Sequence, residues 1–512
     1  MAKTTTFRTN WLPWELNRSS SINIKRLSCL EDRAHQMEIH WLIGTVGNYT
    51  DISKQLDAAH PQGRTLVLNR YARPWQSGTM VRRLRQFALP TSYDAVWNDS
   101  CRTKDSQYIR TVTFWVYQCE VIAAAHCHSM PQMIGMHRPI AKWSDPPYRR
   151  LARMAERAAY ALGWDTCSVT IQSTSDASVV SMQNDPSSIQ RCYALDEPQE
   201  GDSIVRAAPV TRRDPEWVWR TYEERIQLDA RILGEERGNE NQQRLDLSFG
   251  LDAEFILYHA ERRKIIPASR FFDLAGEIGC DAVRIDGKVM YPILELRPQP
   301  VDYAAALVPA IRKLMRTASS SLNNMDRENG SKIACLAGSK PLNRFAIGAH
   351  LHVAGKMCTS ELIRALDTYL ALPCSLLEQR REKSEHRRRT GYGTLGDVRQ
   401  HPHNGAGGFE YRTLWNFLVD PSLGAELLNV FEVIVRHYWK LPGREAARDP
   451  IVAAYTEDSR HVYKDLAINR ITELKMFADD KQQLLLSQLI QRLREEWTWK
   501  EHTDVRIGWI HA

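Results

Sequence analysis

The chain has no apolar run near the roughly 18 to 20 residues that a membrane span requires, and its opening stretch, MAKTTTFRTNWLPWEL, lacks the apolar segment of a secretory signal. These absences give the expectation of a cytoplasmic protein with no membrane partner. Paired cysteines are missing too: the ten cysteines are scattered singly with no CxxC, which fits reduced thiols and points away from redox chemistry. There is little excess charge for 512 residues. The net charge of +7 gives no general attraction to nucleic acid, which is not expected as a partner. Internal repeats and low-complexity stretches are also lacking.

What is present is ordinary for a folded protein of several domains, with 43% hydrophobic and 25% charged residues. The fifteen tryptophans lie among apolar and loop residues and read as packing. One basic stretch, EQRREKSEHRRRTGYG at 378 to 393, sets Arg387 to Arg389 beside a Tyr-Gly turn, with Glu378, Glu382 and Glu385 interleaved. It reads as a solvated helix end with paired charges, or as a phosphate-binding loop. His126, Cys127 and His128 in AHCHS have no partner doublet nearby and read as an ordinary segment.

Texture changes along the chain. From residue 1 to 213, apolar runs such as RTLVLNR, IRTVTFWVYQCEVIAAA and CSVTIQ alternate with the helical pattern YRRLARMAERAAYALG, suggesting an α/β domain. Residues 214 to 245 read as a helix and linker: Asp214 is a plausible N-cap, Pro215 takes the first helical position, the helix runs to about Leu233, and Gly234 to Arg244 is polar. A second domain is expected from 246 to 425, with strands at 249 to 258, 282 to 285, 288 to 297, 345 to 353 and 408 to 414, and helices near 303 to 318 and 360 to 381. Asp286-Gly287 is a two-residue hairpin signal, which argues for antiparallel pairing and an α+β layout. Residues 426 to 512 read as a helical extension.

Four strands of the second domain share one design. Asp252 and Glu254 in GLDAEFILYH lie two residues apart, so both look out from one face while Leu251, Ala253 and Phe255 line the other. Glu295 and Arg297 in PILELRPQP, His350 and His352 in FAIGAHLHVAG, and Glu410 and Arg412 in GGFEYRTLW repeat the pattern. Any one such doublet is an ordinary solvent-facing alternation; four in one domain make a site. On a shared face the carboxylates would outnumber the arginines, and a bound cation is the simplest relief. Carboxylates with an imidazole suit Mg²⁺ or Mn²⁺, while a guanidinium binds carboxylate or phosphate instead of metal. Together these suggest ATP-dependent chemistry on a carboxylate, with Arg297 and Arg412 stabilising the transferred group as catalytic residues.

The ordered set GLDAEF, GCDAVRIDG, LELRPQP, GAHLHV, YGTLGDVR and GGFEYRTL resembles the phage-type carboxylate-amine ligase family, type 2, of the amidoligase superfamily. The resemblance spans roughly residues 246 to 425. It implies a curved antiparallel sheet of glutamine synthetase-like type, ATP and Mg²⁺ as cofactors, and amide or peptide bond formation between a small-molecule or peptide carboxylate and an amine through an acyl phosphate. It further implies Asp252, Glu254, Glu295, His350 and Glu410 as metal ligands, and His352, Arg399 and Arg412 toward ATP or phosphate. Asp281 matches a family position without an assigned role. The N-terminal half resembles a degenerate ATP-grasp-like module, with Met182, Gln183 and Asn184 where an active enzyme carries an acidic metal ligand, so a scaffold or substrate-recognition role is expected. The alternatives are a metal-dependent hydrolase on the same cluster, and a non-catalytic binding protein retaining the fold, with Arg387 to Arg389 on nucleic acid.

Overall fold

The computed structural model describes residues 23–28, 38–43, 65–72, 75, 77–89, 109–127, 137–174, 203–210, 214–238, 247–285, 288–329, 333–378, 391–401, 407–500 and 503–511. The basic run at 387 to 389 and the Met182 to Asn184 stretch lie outside these residues, as does the dipeptide 286–287. Two compact units divide the chain. One is built from Met1–Val180 and Glu197–Leu245 with the short Met357–Ser360, the other from Asp246–Lys356 and Glu361–Ala512. Among the described residues no helix is long and apolar enough to cross a membrane.

The first unit contains a small sheet of β1 (Asn23–Ser28), β2 (Glu38–Ile43) and β3 (Thr65–Leu68), in which β2 and β3 run parallel. Its larger sheet joins β4 (Ile109–Tyr117), β5 (Glu120–Cys127), β6 (His137–Pro139), β7 (Thr166–Thr174) and β8 (Ser203–Pro209) in the order β6-β5-β4-β7-β8, every neighbour antiparallel. The long apolar run of the sequence is thus a hairpin. It breaks at Gln118, whose φ of 51° turns the chain back. Val112, Phe114 and Val116 are buried on one face of β4, Trp115 and Tyr117 on the other, the latter packing with Val218, Tyr222 and Ile226 of the helix Glu216–Gly238. That helix runs five residues past the expected end at Leu233. Gly234 lowers helix stability by only about 1 kcal/mol, and the Glu235, Glu236 and Arg237 that follow are good helix formers. At its start, Asp214 accepts a hydrogen bond from the Trp115 indole.

The second unit is organised on one strongly curled antiparallel sheet. Its strands are β9 (Ser248–His259), β10 (Lys264–Ile265), β11 (Ile278–Ile285), β12 (Lys288–Leu296), β13 (Ile333–Leu336), β14 (Ala349–Ala354), β15 (Val398–His401) and β16 (Gly408–Tyr411). The order is β11-β12-β9-β14-β16-β15, with β10 and β13 also paired to β9. Pairing of β11 with β12 continues to Ile285 opposite Lys288, leaving two residues between the strands, as a tight hairpin requires. One face is apolar throughout: Ala253, Phe255, Leu294, Leu296, Ala349 and Leu351 are at or near full burial. The helix Pro421–His437, capped where Asp420 accepts from the backbone N–H groups of Ser422 and Leu423 at 3.0 Å, packs here through Phe431 against Phe249.

Candidate active site

The strand registers place the polar doublets side by side. Glu295 of β12 stands opposite Glu254 of β9, and Asp252 of β9 opposite His350 of β14. His352 of β14 faces Glu410 of β16, which faces Arg399 of β15 in turn. The sheet therefore brings the four doublets of the sequence onto one face, with Arg399 from a fifth strand. It is not a wet surface. Glu254, Glu295, His350 and Glu410 are only 4%, 6%, 2% and 2% exposed. Beyond Glu254 and Glu295 the same face turns apolar, where Ile256, Ile293, Leu336 and Ile347 form one cluster.

At the centre, His350 Nδ1 lies 2.7 Å from Asp252 Oδ1 and 3.4 Å from Glu410 Oε1. His352 Nε2 lies 3.0 Å from Asp252 Oδ2. Burial opposes ionisation of Asp252, but His350 and His352 outweigh it and hold the carboxyl well below its usual range. For His350, burial opposes the charged form, yet the carboxylates of Asp252 and Glu254 raise its affinity for a proton above normal. A field that favours a proton there favours any cation.

Glu254 is anchored through Oε2, which accepts from the Tyr392 hydroxyl at 2.7 Å and from the Gly348 N–H at 2.8 Å. Burial raises its pKa against the pull of His350. Glu295 pairs with Arg297, but burial and then the Asp252 charge push its carboxyl up to about 7. Asp281, half-buried on β11, adds to the negative field at both Glu254 and Glu295. On the other side, Glu410 binds Arg412 and accepts from Arg399 at 2.9 Å. Burial works against the charge on Arg412, but Asp397 and Glu410 outweigh it and keep the guanidinium protonated. Arg399 is 41% exposed, so its charge remains available to a ligand.

A divalent cation fits the centre. One ligand atom each from Asp252, His350 and Glu410 lie within 4.8 Å of one another. Asp252 Oδ1 is buried and takes no hydrogen bond, although it is 2.7 Å from a ring nitrogen. Adjacent ligands of an octahedral Mg²⁺ lie about 3 Å apart, so such a spacing without hydrogen-bond geometry is what two donors to one ion would show. Two carboxylates and an imidazole suit Mg²⁺ or Mn²⁺. Glu254 and Glu295 border this trio from the next register row and do not enter it.

Three residues of the face were missed from sequence. Tyr392 bridges Glu254 and His350, His401 stacks on His352 with ring centroids 5.7 Å apart, and Gly348 leaves room for both (a Cβ there would come within 2.9 Å of His350 Nε2 and of the Tyr392 hydroxyl). Tyr392 belongs to the YGTLGDVR motif, in which the sequence points to a role for the arginine alone. His401 and Gly348 carry no signal of their own, because strand pairing alone brings them in.

Comparison with known proteins adds to this geometry. A family model described as "Phage phiEco32-like COOH.NH2 ligase-type 2" matches residues 249–510, just over half of the chain and all of the strands that build the face. The match continues through the C-terminal helices, beyond the motifs that end near residue 425. No curated protein matches the sequence. Among solved structures, the complex between the prokaryotic ubiquitin-like protein Pup and its ligase PafA is similar at 10% identity and a TM-score of 0.37, over 49% of this chain and 65% of that one. A bifunctional glutathione synthetase from Pasteurella multocida is similar at 11% identity and a TM-score of 0.34, over 52% of this chain and 48% of that one. The chain thus spans less than two thirds of either.

Proposed function

Because the chain belongs to the phage phiEco32-like COOH.NH2 ligase-type 2 family, we propose that it is an ATP-dependent ligase that joins a carboxylate to an amine through an acyl phosphate. The observation that carries this reading is the buried convergence of Asp252, His350 and Glu410 with Arg399 and Arg412 beside it on one sheet face. Asp252, His350 and Glu410 would hold Mg²⁺, with Glu254 and Glu295 extending the acidic wall. A divalent ion held there would supply positive charge to neutralise phosphate oxygens of ATP.

The chain's own residues do the rest. Arg399, exposed enough to reach a ligand, and Arg412 would bind phosphate oxygens, and His352 would turn toward the nucleotide. Arg297 and Arg412 stabilise charge on the phosphoryl group and on the tetrahedral species formed when the amine attacks. The apolar cluster of Ile256, Ile293, Leu336 and Ile347 limits water at the Glu254 and Glu295 end, which protects an acyl phosphate from hydrolysis. We assign catalysis to residues 246 to 425, supported by the helices of 426 to 512, and a scaffold or substrate-recognition role to the unit before residue 245. Either an amino acid, a peptide terminus or a polyamine suits the chemistry of the amine.

The test is nucleotide binding followed by turnover. ATP with Mg²⁺ should raise the melting temperature of the wild type and leave that of Glu410→Ala unmoved, and ADP release should require both an acid and an amine from a screened panel. A wild type that ignores ATP, or that cleaves an amide with metal alone, would sink the ligase reading.

A further inference from the structure

At Tyr392 a proton's position can be fixed from the hydrogen bonds. Its hydroxyl donates to Glu254 Oε2 at 2.7 Å, and the same oxygen accepts the Gly348 N–H at 2.8 Å. Two donors on one carboxylate oxygen mark it as an acceptor, so the hydroxyl hydrogen is committed to Glu254. The lone pair of the hydroxyl then faces His350 Nε2, 2.8 Å away, and the ring must supply the hydrogen for that contact. A neutral imidazole carries one N–H. With it at Nε2, Nδ1 is left as a bare lone pair.

The surroundings of Nδ1 agree. The nearest partner is Asp252 Oδ1 at 2.7 Å, a contact too poorly aligned for a good hydrogen bond. Glu410 Oε1 lies 3.4 Å from the same nitrogen. The spacing is enforced from the opposite side of the ring. A Cβ at residue 348 would collide at 2.9 Å with His350 Nε2, the Tyr392 hydroxyl and the Leu414 carbonyl, so only glycine lets the hydroxyl seat against the imidazole.

We propose that Tyr392 is a positioning residue that locks His350 in the Nε2–H tautomer, so that Nδ1 joins Asp252 Oδ1 and Glu410 Oε1 as a donor to a divalent cation. Glu254 then acts on the cation site through Oε2 and Tyr392, as the acceptor that orients the hydroxyl. This assignment rests on the reading of the face as a divalent-cation site. Groups behind a ligand that fix its tautomer typically matter by a factor of 10 to 100 in metal affinity.

The experiment uses the full-length, metal-free protein labelled with ¹⁵N-histidine, with the pH raised until the His350 ring is neutral. Resonances of His350 are identified by their loss in His350→Asn. Long-range proton–nitrogen correlation separates Nε2–H, Nδ1–H and imidazolium forms. The wild type should show Nε2 protonated and Nδ1 not; Tyr392→Phe, which removes only the hydroxyl, should lose that preference and bind Mn²⁺ about tenfold or more weakly by electron paramagnetic resonance. A neutral wild-type His350 found as Nδ1–H overturns the proposal without needing any variant to fold. So does a Tyr392→Phe protein with an unchanged spectrum and unchanged Mn²⁺ affinity, and in that case the ligase reading stands. Failure of the wild type to bind Mn²⁺ at all brings down the ligase reading and this proposal with it.

Discussion

Strand β4 of the first unit and strand β9 of the second are buried on both faces over most of their length, and they use the second face for opposite ends. In β4 it carries Trp115 and Tyr117 against Val218 and Tyr222, neutral side chains of which the Trp115 indole donates to Asp214. In β9 it carries a half-buried Asp252 and a buried Glu254, against a histidine, a tyrosine and a backbone N–H. Burial is therefore not what separates core from site. The difference is whether the buried groups carry charge. Around β4 the Tyr117 hydroxyl, a neutral group, is buried without a hydrogen bond; around β9 it is a carboxylate oxygen that is left so, beside an imidazole nitrogen.

The comparison breaks most sharply on substitution. Trp115→Ala should cost about 3 to 5 kcal/mol of stability by opening a cavity in a filled core, seen as a large fall in the melting temperature of the first unit. Asp252→Asn, although it alters a strand just as buried, should change stability far less and abolish Mn²⁺ binding, measured by calorimetry. If Asp252→Asn unfolds the protein, or still binds the ion, the two strands do not differ as described.

A subtler contrast is in pH. Glu156 of the first unit and Glu295 of the second both have carboxyls pushed up to about 7, chiefly by burial. The sign is the same for both. A carboxyl that holds its proton more tightly folded than unfolded stabilises fully below about pH 4.5, and that stabilisation drains away as pH rises through 7. Glu295→Gln should therefore match the wild type near pH 5 and exceed it by about 2 kcal/mol at pH 8 in metal-free denaturant titrations. Added Mg²⁺ should shrink the gain at Glu295 and leave the corresponding gain in Glu156→Gln untouched, because Glu156 rests on the Val121 N–H and not on the cation face. Equal responses to Mg²⁺ would erase the distinction between the units.

The smallest effect on folding is expected at the rim. Arg399→Ala removes a side chain that is 41% exposed, so its loss should move stability by no more than about 0.5 to 1 kcal/mol while raising the KM for ATP several-fold in the ADP-release assay. A KM equal to that of the wild type would remove Arg399 from the ligand side of the face.

Much of this was legible in the sequence because strand alternation is local. The two-residue period assigns Asp252, Glu295, His350 and Glu410 to faces without knowledge of their neighbours, and the Asp286-Gly287 signal sets the pairing of β11 with β12. Strands β13 and β15 escaped, being four residues each, with IACL too uniform and VRQH too polar to alternate visibly. Register between distant strands was hidden as well. Nothing local to Tyr392 says that it meets Glu254, 138 positions away. The division of the five proposed ligands into a convergent trio and a bordering pair likewise depends on which row of the sheet each occupies.

Gly348 shows how far such dependence reaches. It has no charge, no donor beyond its backbone and no side chain to align against a motif, yet its N–H holds Glu254 and its missing Cβ makes the space that Tyr392 and His350 share. This polar face is thus hostage to an empty volume about the size of a methyl group. One added carbon at that position would disarm the site while leaving every acid, histidine and arginine in place, a lesion that an inventory of reactive side chains would score as intact.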